Sequence, residues 1–174
     1  SADSLSLYLG GAYKLVTTQV LRDTSAWYHI VLVIDTANAT ADNRNIMYIN
    51  GVQVTAFSTR SNLSLNATTN LNAASTVTYI GRYAASSSEY TDGYLTEINF
   101  IDGQALTPSS FGETDAVTGV WKAKKYSGTY GTNGFYLNFS DNSNNTATTI
   151  GKDYSGNGNN WTPNNISLTA GSTY

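Results

Sequence analysis

No cysteine occurs in the 174 residues, which excludes a disulfide framework, thiolate zinc sites and a thiol nucleophile. There is one histidine, His29, so any Ser-His-Asp triad would have to use it. Charged residues make up 12 % of the chain, against about 25 % in an ordinary globular protein. The net charge is -3, and the densest basic run is Lys122, Lys124 and Lys125, so nucleic acid is not an expected partner. No apolar run approaches the length of a membrane span, and no charged-then-apolar signal opens the sequence, so membrane insertion is not expected and export would need another route or another part of a longer protein. Helical periodicity is almost absent.

What fills the chain instead is uncharged and polar: "NATADNRN", "NLSLNATTNLNAAST", "DNSNNTATT". A surface of this kind suits neutral, hydroxyl-rich ligands such as glycans, and it also suits many extracellular β-proteins. Short β-branched and aromatic runs recur between Gly, Asn, Asp and Ser clusters, which predicts an all-β fold. The expected strands are 5–9, 13–18, 27–34, 46–49, 52–57, 77–80, 94–101 and 135–139. In "IMYINGVQV", Asn50-Gly51 suits a type I′ hairpin turn. "WYHIVLVID" is apolar on both alternating faces, which predicts a strand covered on both sides. "GYLTEINFID" has one dry and one partly polar face. "LTPSSFGE" predicts one short helical turn, with Thr107 as cap, Pro108 at the first position and Gly112 as stop. Residues 58–76 read as a long polar stretch, either a loop or an irregular excursion with weak strands, with plain solvated connection favoured over a functional loop. After Phe139 the composition turns Asn- and Gly-rich, so a domain over 1–140 is expected, with 141–174 packing on it or leading to a further domain. The chain is expected to be a fragment of a longer protein.

"SAWYHIVLVIDT", "NIMYINGVQV", "YIGRY" and "YTDGYLTEINFIDGQALTPSSFGE" follow one another in an order that resembles the laminin G-like and concanavalin A-like lectin superfamily. The similarity is greatest to the version found in marine bacteriophage proteins, where blocks like "TGVWKAKKYSGTYGTNGFYLNFSDNS" and "GKDYSGNGNNWTPNNIS" follow. The resemblance implies a two-sheet antiparallel jelly-roll sandwich. It implies a tail-fibre or adhesin-like protein on a virion surface or otherwise extracellular, in contact with other virion subunits, with a homo-oligomer among the assemblies it allows. It names no ligand, because fold alone does not.

Three chemistries compete for the polar residues. For catalysis, His29 lies in the most apolar strand and reads as a core histidine, and in this superfamily the matching position is structural. Glycosidases need paired carboxylates; Glu97 with Asp92 or Asp102 is the best pair, but the several-carboxylate strand of the related glucanases is missing, so no catalytic residue is assigned. For metal, "DYSGNGN" offers Asp153, Asn157 and Asn159 with glycines for close backbone approach, and it resembles a segment that sometimes binds calcium in laminin G-like domains; the same residues are also ordinary turn formers. For glycans, Tyr83, Tyr90 and Asp92, then Trp121, Tyr126 and Tyr130, and further Trp161, offer aromatic faces and polar groups, with core packing as the plain alternative for each tryptophan. The expected function is a non-catalytic module that attaches to a glycan or host-surface polysaccharide. The alternative is a structural virion module used as spacer, decoration or assembly element; a polysaccharide depolymerase ranks third.

Overall fold

The computed structural model describes residues 3–71, 76–83 and 89–169. The chain forms two compact units, one from 1–78 with 105–126 and the other from 79–104 with 127–174. Residues 141–169 thus belong to the same unit as 127–139. Every strand pair is antiparallel, and the helical elements among the described residues are two 3-10 turns, Ala41–Asn43 and Pro108–Ser110.

The first unit is the expected two-sheet sandwich. One sheet has the order β1 (Ser4–Leu9), β2 (Ala12–Val20), β6 (Phe57–Arg60). The other has the order β3 (Ile30–Ile34), β4 (Asn45–Ile49), β5 (Val52–Gln53). Along β4, Asn45, Met47 and Ile49 are buried and alternate with half-buried residues, which is the period-2 signature of a strand with one face on the core. A single core joins the sheets: Leu7, Leu9 and Leu15 from the first, Met47 and Ile49 from the second, with Val54 and Leu63 between strands. Leu15 is fully buried, so truncating it would open a cavity at the centre of this core.

The turns follow local chemistry. Asn50 (φ 49°) and Gly51 (φ 80°) make the left-handed pair that a type I′ hairpin needs between β4 and β5. Pro108 does open a short turn, although Thr107 makes no capping bond; its hydroxyl sits 2.9 Å from that of Ser109. A second hairpin joins β8 (Gly112–Thr114) to β9 (Trp121–Ala123). Asp115 organises its loop, accepting the N–H groups of Val117 and Thr118 at 2.9 Å and pairing with Lys122 at 2.9 Å. The Thr118 N–H, the Lys122 ammonium and the Val117 N–H together hold its pKa down to about 2.

Among the described residues the second unit has one strand pair, β7 (Ile98–Phe100) with β10 (Phe135–Leu137). All three β10 residues are buried, and Phe100 and Phe135 stack with ring centroids 5.5 Å apart. The remaining described residues of this unit are loop and turn, fastened by side-chain hydrogen bonds.

Several strand expectations are corrected: 52–57 splits into β5 (Val52–Gln53) and a β6 that starts at Phe57, and 135–139 ends at Leu137. Residues 77–80 form no strand, and 94–101 shrinks to 98–100, because Glu97 takes a left-handed φ of 54° that breaks the extended run. The strand expected at 27–34 starts at Ile30 and is not covered on both sides: Ile30 and Leu32 are each 39 % exposed. The reason is topological, since β3 stands at the edge of its sheet. An alternating apolar pattern reports what a strand could bury, not where it stands.

Gly51 and Gly112 have a further role. Both lie against the indole of Trp121, and a Cβ at either would overlap the ring. Gly51→Ala combines that overlap with a left-handed φ, and is expected to cost at least about 2 kcal/mol. Gly10→Ala, also left-handed (φ 61°) but in open space, is expected to cost about 1 kcal/mol. Denaturant unfolding of the two variants checks the difference; equal losses would show that the Trp121 contact contributes nothing.

Candidate functional site

An exposed aromatic patch lies on residues 79–83 and 89–92 of the second unit. Arg82 bridges to Tyr90 in an isolated antiparallel pair, continued by Tyr83 N–H to Glu89 C=O (3.1 Å) and Thr91 N–H to Gly81 C=O (2.8 Å). The Arg82 guanidinium sits 4.7 Å from the Tyr79 ring centroid and 6.0 Å from that of Tyr90, within cation–π range. Tyr79, Tyr83 and Tyr90 are 41, 47 and 62 % exposed, and Asp92 is exposed beside them. The structure therefore brings Tyr83, Tyr90 and Asp92 into one short segment, and adds two residues not anticipated as candidates, Tyr79 and Arg82. Both stand in "TYIGRY", where the recurrence of tyrosine around an arginine was the available signal.

The other aromatic candidates turn inward. Tyr126 is 8 % exposed and packs on Phe111 with centroids 5.1 Å apart. Tyr130 is 8 % exposed, and its hydroxyl donates to Asn99 Oδ1 at 3.0 Å. Trp121 is half-buried over Gly51 and Gly112 and beside His29, with ring centroids 5.7 Å apart. Trp121 Nε1 and His29 Nδ1 are buried and have no hydrogen-bond partner among the described residues. His29 is half-buried and stands outside the main core cluster; burial pushes its pKa down and favours the neutral imidazole. Trp161 packs on Phe135 with centroids 4.8 Å apart. None of these rings offers the open face that Tyr83 and Tyr90 offer.

The Asp153 loop is a hydrogen-bonded staple. Asp153 is 6 % exposed. Its Oδ1 accepts the N–H groups of Tyr136 and Ser155, both at 2.8 Å. Its Oδ2 accepts the Ser155 hydroxyl at 2.8 Å and the Asn159 N–H at 2.9 Å. Burial acts to raise the Asp153 pKa, and these four donors outweigh it, so the carboxyl stays below its usual range. Asn157 Nδ2 donates to the carbonyls of Gly131 (2.6 Å) and Gly134 (2.9 Å), and Asn159 Nδ2 to those of Thr132 (3.1 Å) and Gly134 (2.9 Å). The loop thus clamps residues 131–136. A shallow depression of about 470 Å³ lies here, lined by residues 128–132, Ser155 and Asn157.

This arrangement does not fit calcium. Calcium needs six to eight oxygens turned towards it. Here the one carboxylate is surrounded by N–H and O–H donors, and both asparagines turn their amide nitrogens, not their oxygens, to the neighbouring carbonyls. No cluster of three or more His, Cys, Asp or Glu side chains with metal-binding geometry occurs among the described residues. Calcium and an Asx-type staple draw on the same residue types, and here the hydrogen-bond polarity is that of the staple.

Two of the three acidic candidates for catalysis, Glu97 and Asp102, are also engaged, while Asp92 is exposed. Glu97 Oε2 accepts the Tyr136 hydroxyl at 2.6 Å. Burial first, then the bond and charge of Glu97, push the Tyr136 pKa well above its ordinary value, so the phenol stays protonated and donates. Asp102 Oδ2 accepts the N–H and the side-chain amide of Asn133 at 3.1 and 2.8 Å.

A family model described as the concanavalin A-like lectin/glucanases superfamily matches residues 1–111. No curated protein and no solved structure matches the chain.

Two outcomes follow for the Asp153 loop. Asp153→Ala strands buried N–H groups and is expected to cost about 2–4 kcal/mol. Because the folded pKa lies below the unfolded one, this contribution is complete above the unfolded value near 3.8 and fades as pH falls through the folded value. The gap in stability between parent and variant should therefore close in acid; a gap that holds its size down to pH 2 would contradict the account. For the cation, unfolding temperature is expected to be the same in millimolar calcium and in EDTA, and a rise of several degrees in calcium would contradict the polarity argument.

Proposed function

The chain belongs to the concanavalin A-like lectin/glucanases superfamily, and on that premise we propose that it is a non-catalytic carbohydrate-binding module that attaches a phage virion or similar surface protein to a glycan-bearing surface. Superfamily membership carries the carbohydrate reading. The tyrosine patch on 79–83 and 89–92 supports the choice of site: Tyr79, Tyr83 and Tyr90 supply open ring faces for sugar C–H groups, while Arg82 and Asp92 supply a donor and an acceptor for hydroxyls. The low charge of the chain suits a neutral ligand, since few groups would have to shed tightly held water.

The non-catalytic reading rests on the acids. Hydrolysis of a glycosidic bond needs one carboxyl free to give a proton and another free to attack or to activate water. Glu97 and Asp102 are each committed to a hydrogen bond within the fold. The inward packing of Trp121, Tyr126 and Tyr130 favours a second reading, a structural virion module without a ligand, because it assigns three of the aromatic candidates to stability instead of contact.

A glycan array on the purified chain separates the two. Binding to a defined saccharide is expected, unchanged by EDTA. Combined Tyr83→Ala, Tyr90→Ala and Asp92→Ala should weaken it by about 10- to 100-fold, the loss of two ring contacts and a hydrogen bond. Unaltered binding by that variant would sink the site, and no binding to any glycan by folded protein would favour the structural module.

A further inference from the structure

We propose that the chain forms a two-fold symmetric dimer through the outer edge of β3, its partner a second copy of itself, an interface separate from glycan attachment. The pairing of β3 with β4 fixes which backbone groups are free. Asn50 N–H donates to His29 C=O and Asp35 N–H to Arg44 C=O, so residues 29, 31, 33 and 35 turn their backbone groups towards β4. Val54 N–H donates to Met47 C=O, which places Met47 towards β5 and confirms the alternation. Ile30, Leu32 and Ile34 therefore point their N–H and C=O groups away from the sheet, and no hydrogen bond reaches them among the described residues.

This edge differs from the other edges of the two three-stranded sheets. β1 is interrupted by two register shifts, β6 carries Arg60, and β5 is two residues long. Bulges, charges and brevity are the usual protections of a sheet edge. β3 has none: its five pairs with β4 run without a shift, and it carries no charge or proline between residues 30 and 34. Ile30 and Leu32 lie on the core face, opposite Ile49 and Met47, yet remain 39 % exposed.

The sequence identifies the occupant. Residues 30–34 read Ile-Val-Leu-Val-Ile, the same in both directions. A two-fold axis through Leu32 sets Ile30 opposite Ile34 of the second copy, Val31 opposite Val33, and Leu32 opposite itself. Just outside, His29 falls opposite Asp35 of the second copy, where a neutral imidazole can donate its N–H to the carboxylate. The backbone agrees: in this register the outward residues pair with outward residues (30 with 34, 32 with 32, 34 with 30), and each pair can exchange two bonds. A register shifted by one residue would set outward groups against inward ones. Two copies would thus share one continuous six-stranded antiparallel sheet, a closed C2 assembly.

Cysteine cross-linking tests the register, since the chain has no cysteine of its own. In Leu32→Cys the two thiols face each other with Cα atoms about 5.5 Å apart, inside disulfide range. In Val33→Cys they are offset to about 8 Å, beyond bridging distance. Under mild oxidation Leu32→Cys should become a disulfide-linked dimer and Val33→Cys should not. The unmodified chain should sediment as a dimer in analytical ultracentrifugation, and Leu32→Lys, placing two ammonium groups at the axis, should be a monomer with unchanged circular dichroism. Equal cross-linking of both cysteine variants would overturn the proposal. So would an unmodified chain that stays monomeric at high concentration; if its β3 amides were then protected from hydrogen exchange, the edge would belong to another segment of the same chain.

Discussion

The Asp153 carboxylate is the constraint on which the second unit depends. Among its described residues that unit has a single pair of three-residue strands, too little ladder to hold its loops in place. The carboxylate supplies what the strands do not. Its four donors come from β10 and from both ends of its own loop, so one buried charge fixes the strand and the loop in a single geometry. The Asn157 and Asn159 amides then tie the loop to three carbonyls of residues 131–134. Hydrogen bonds to an ionised acceptor are worth about twice those between neutral groups, which is why an acid does this work better than an asparagine would.

The first unit is held differently, by apolar contact. Its core draws on both sheets, and Trp121 extends that contact to the β8–β9 hairpin by lying on two glycines. Glycine at 51 satisfies two demands at once, the left-handed turn and the absence of a Cβ beneath an indole. The cost falls on Trp121 Nε1, buried with no partner among the described residues. A ring held in this way is part of the scaffold, whereas Tyr79, Tyr83 and Tyr90 are exposed.

Much of the fold was legible in the sequence because its signals are local. Asn50-Gly51 specifies its turn through backbone sterics, Pro108 opens its turn through a fixed φ, and the β-branched runs of β2 and β4 alternate as they must. What could not be read depends on distant partners. The burial of Trp121 is decided by Gly51, seventy residues away, and that of Tyr130 by Asn99. The partial exposure of β3 depends on strand order, which an apolar pattern does not encode. The Asp153 loop was ambiguous for a chemical reason: Asp, Asn, Ser and Gly are what a calcium loop needs and also what a hydrogen-bonded turn needs. Only the direction in which the amides point separates them.

Carbohydrate binding through exposed tyrosines, on a scaffold closed by hydrogen bonds and not by a cation, is the central claim. Backbone amide chemical-shift mapping by NMR, during titration with a saccharide that the protein binds, tests it most directly when run in EDTA. The account predicts saturable shifts concentrated at Tyr79, Arg82, Tyr83, Tyr90 and Asp92, with the amides of 153–159 unmoved. Shifts centred on 153–159 that appear only when calcium is restored would contradict it.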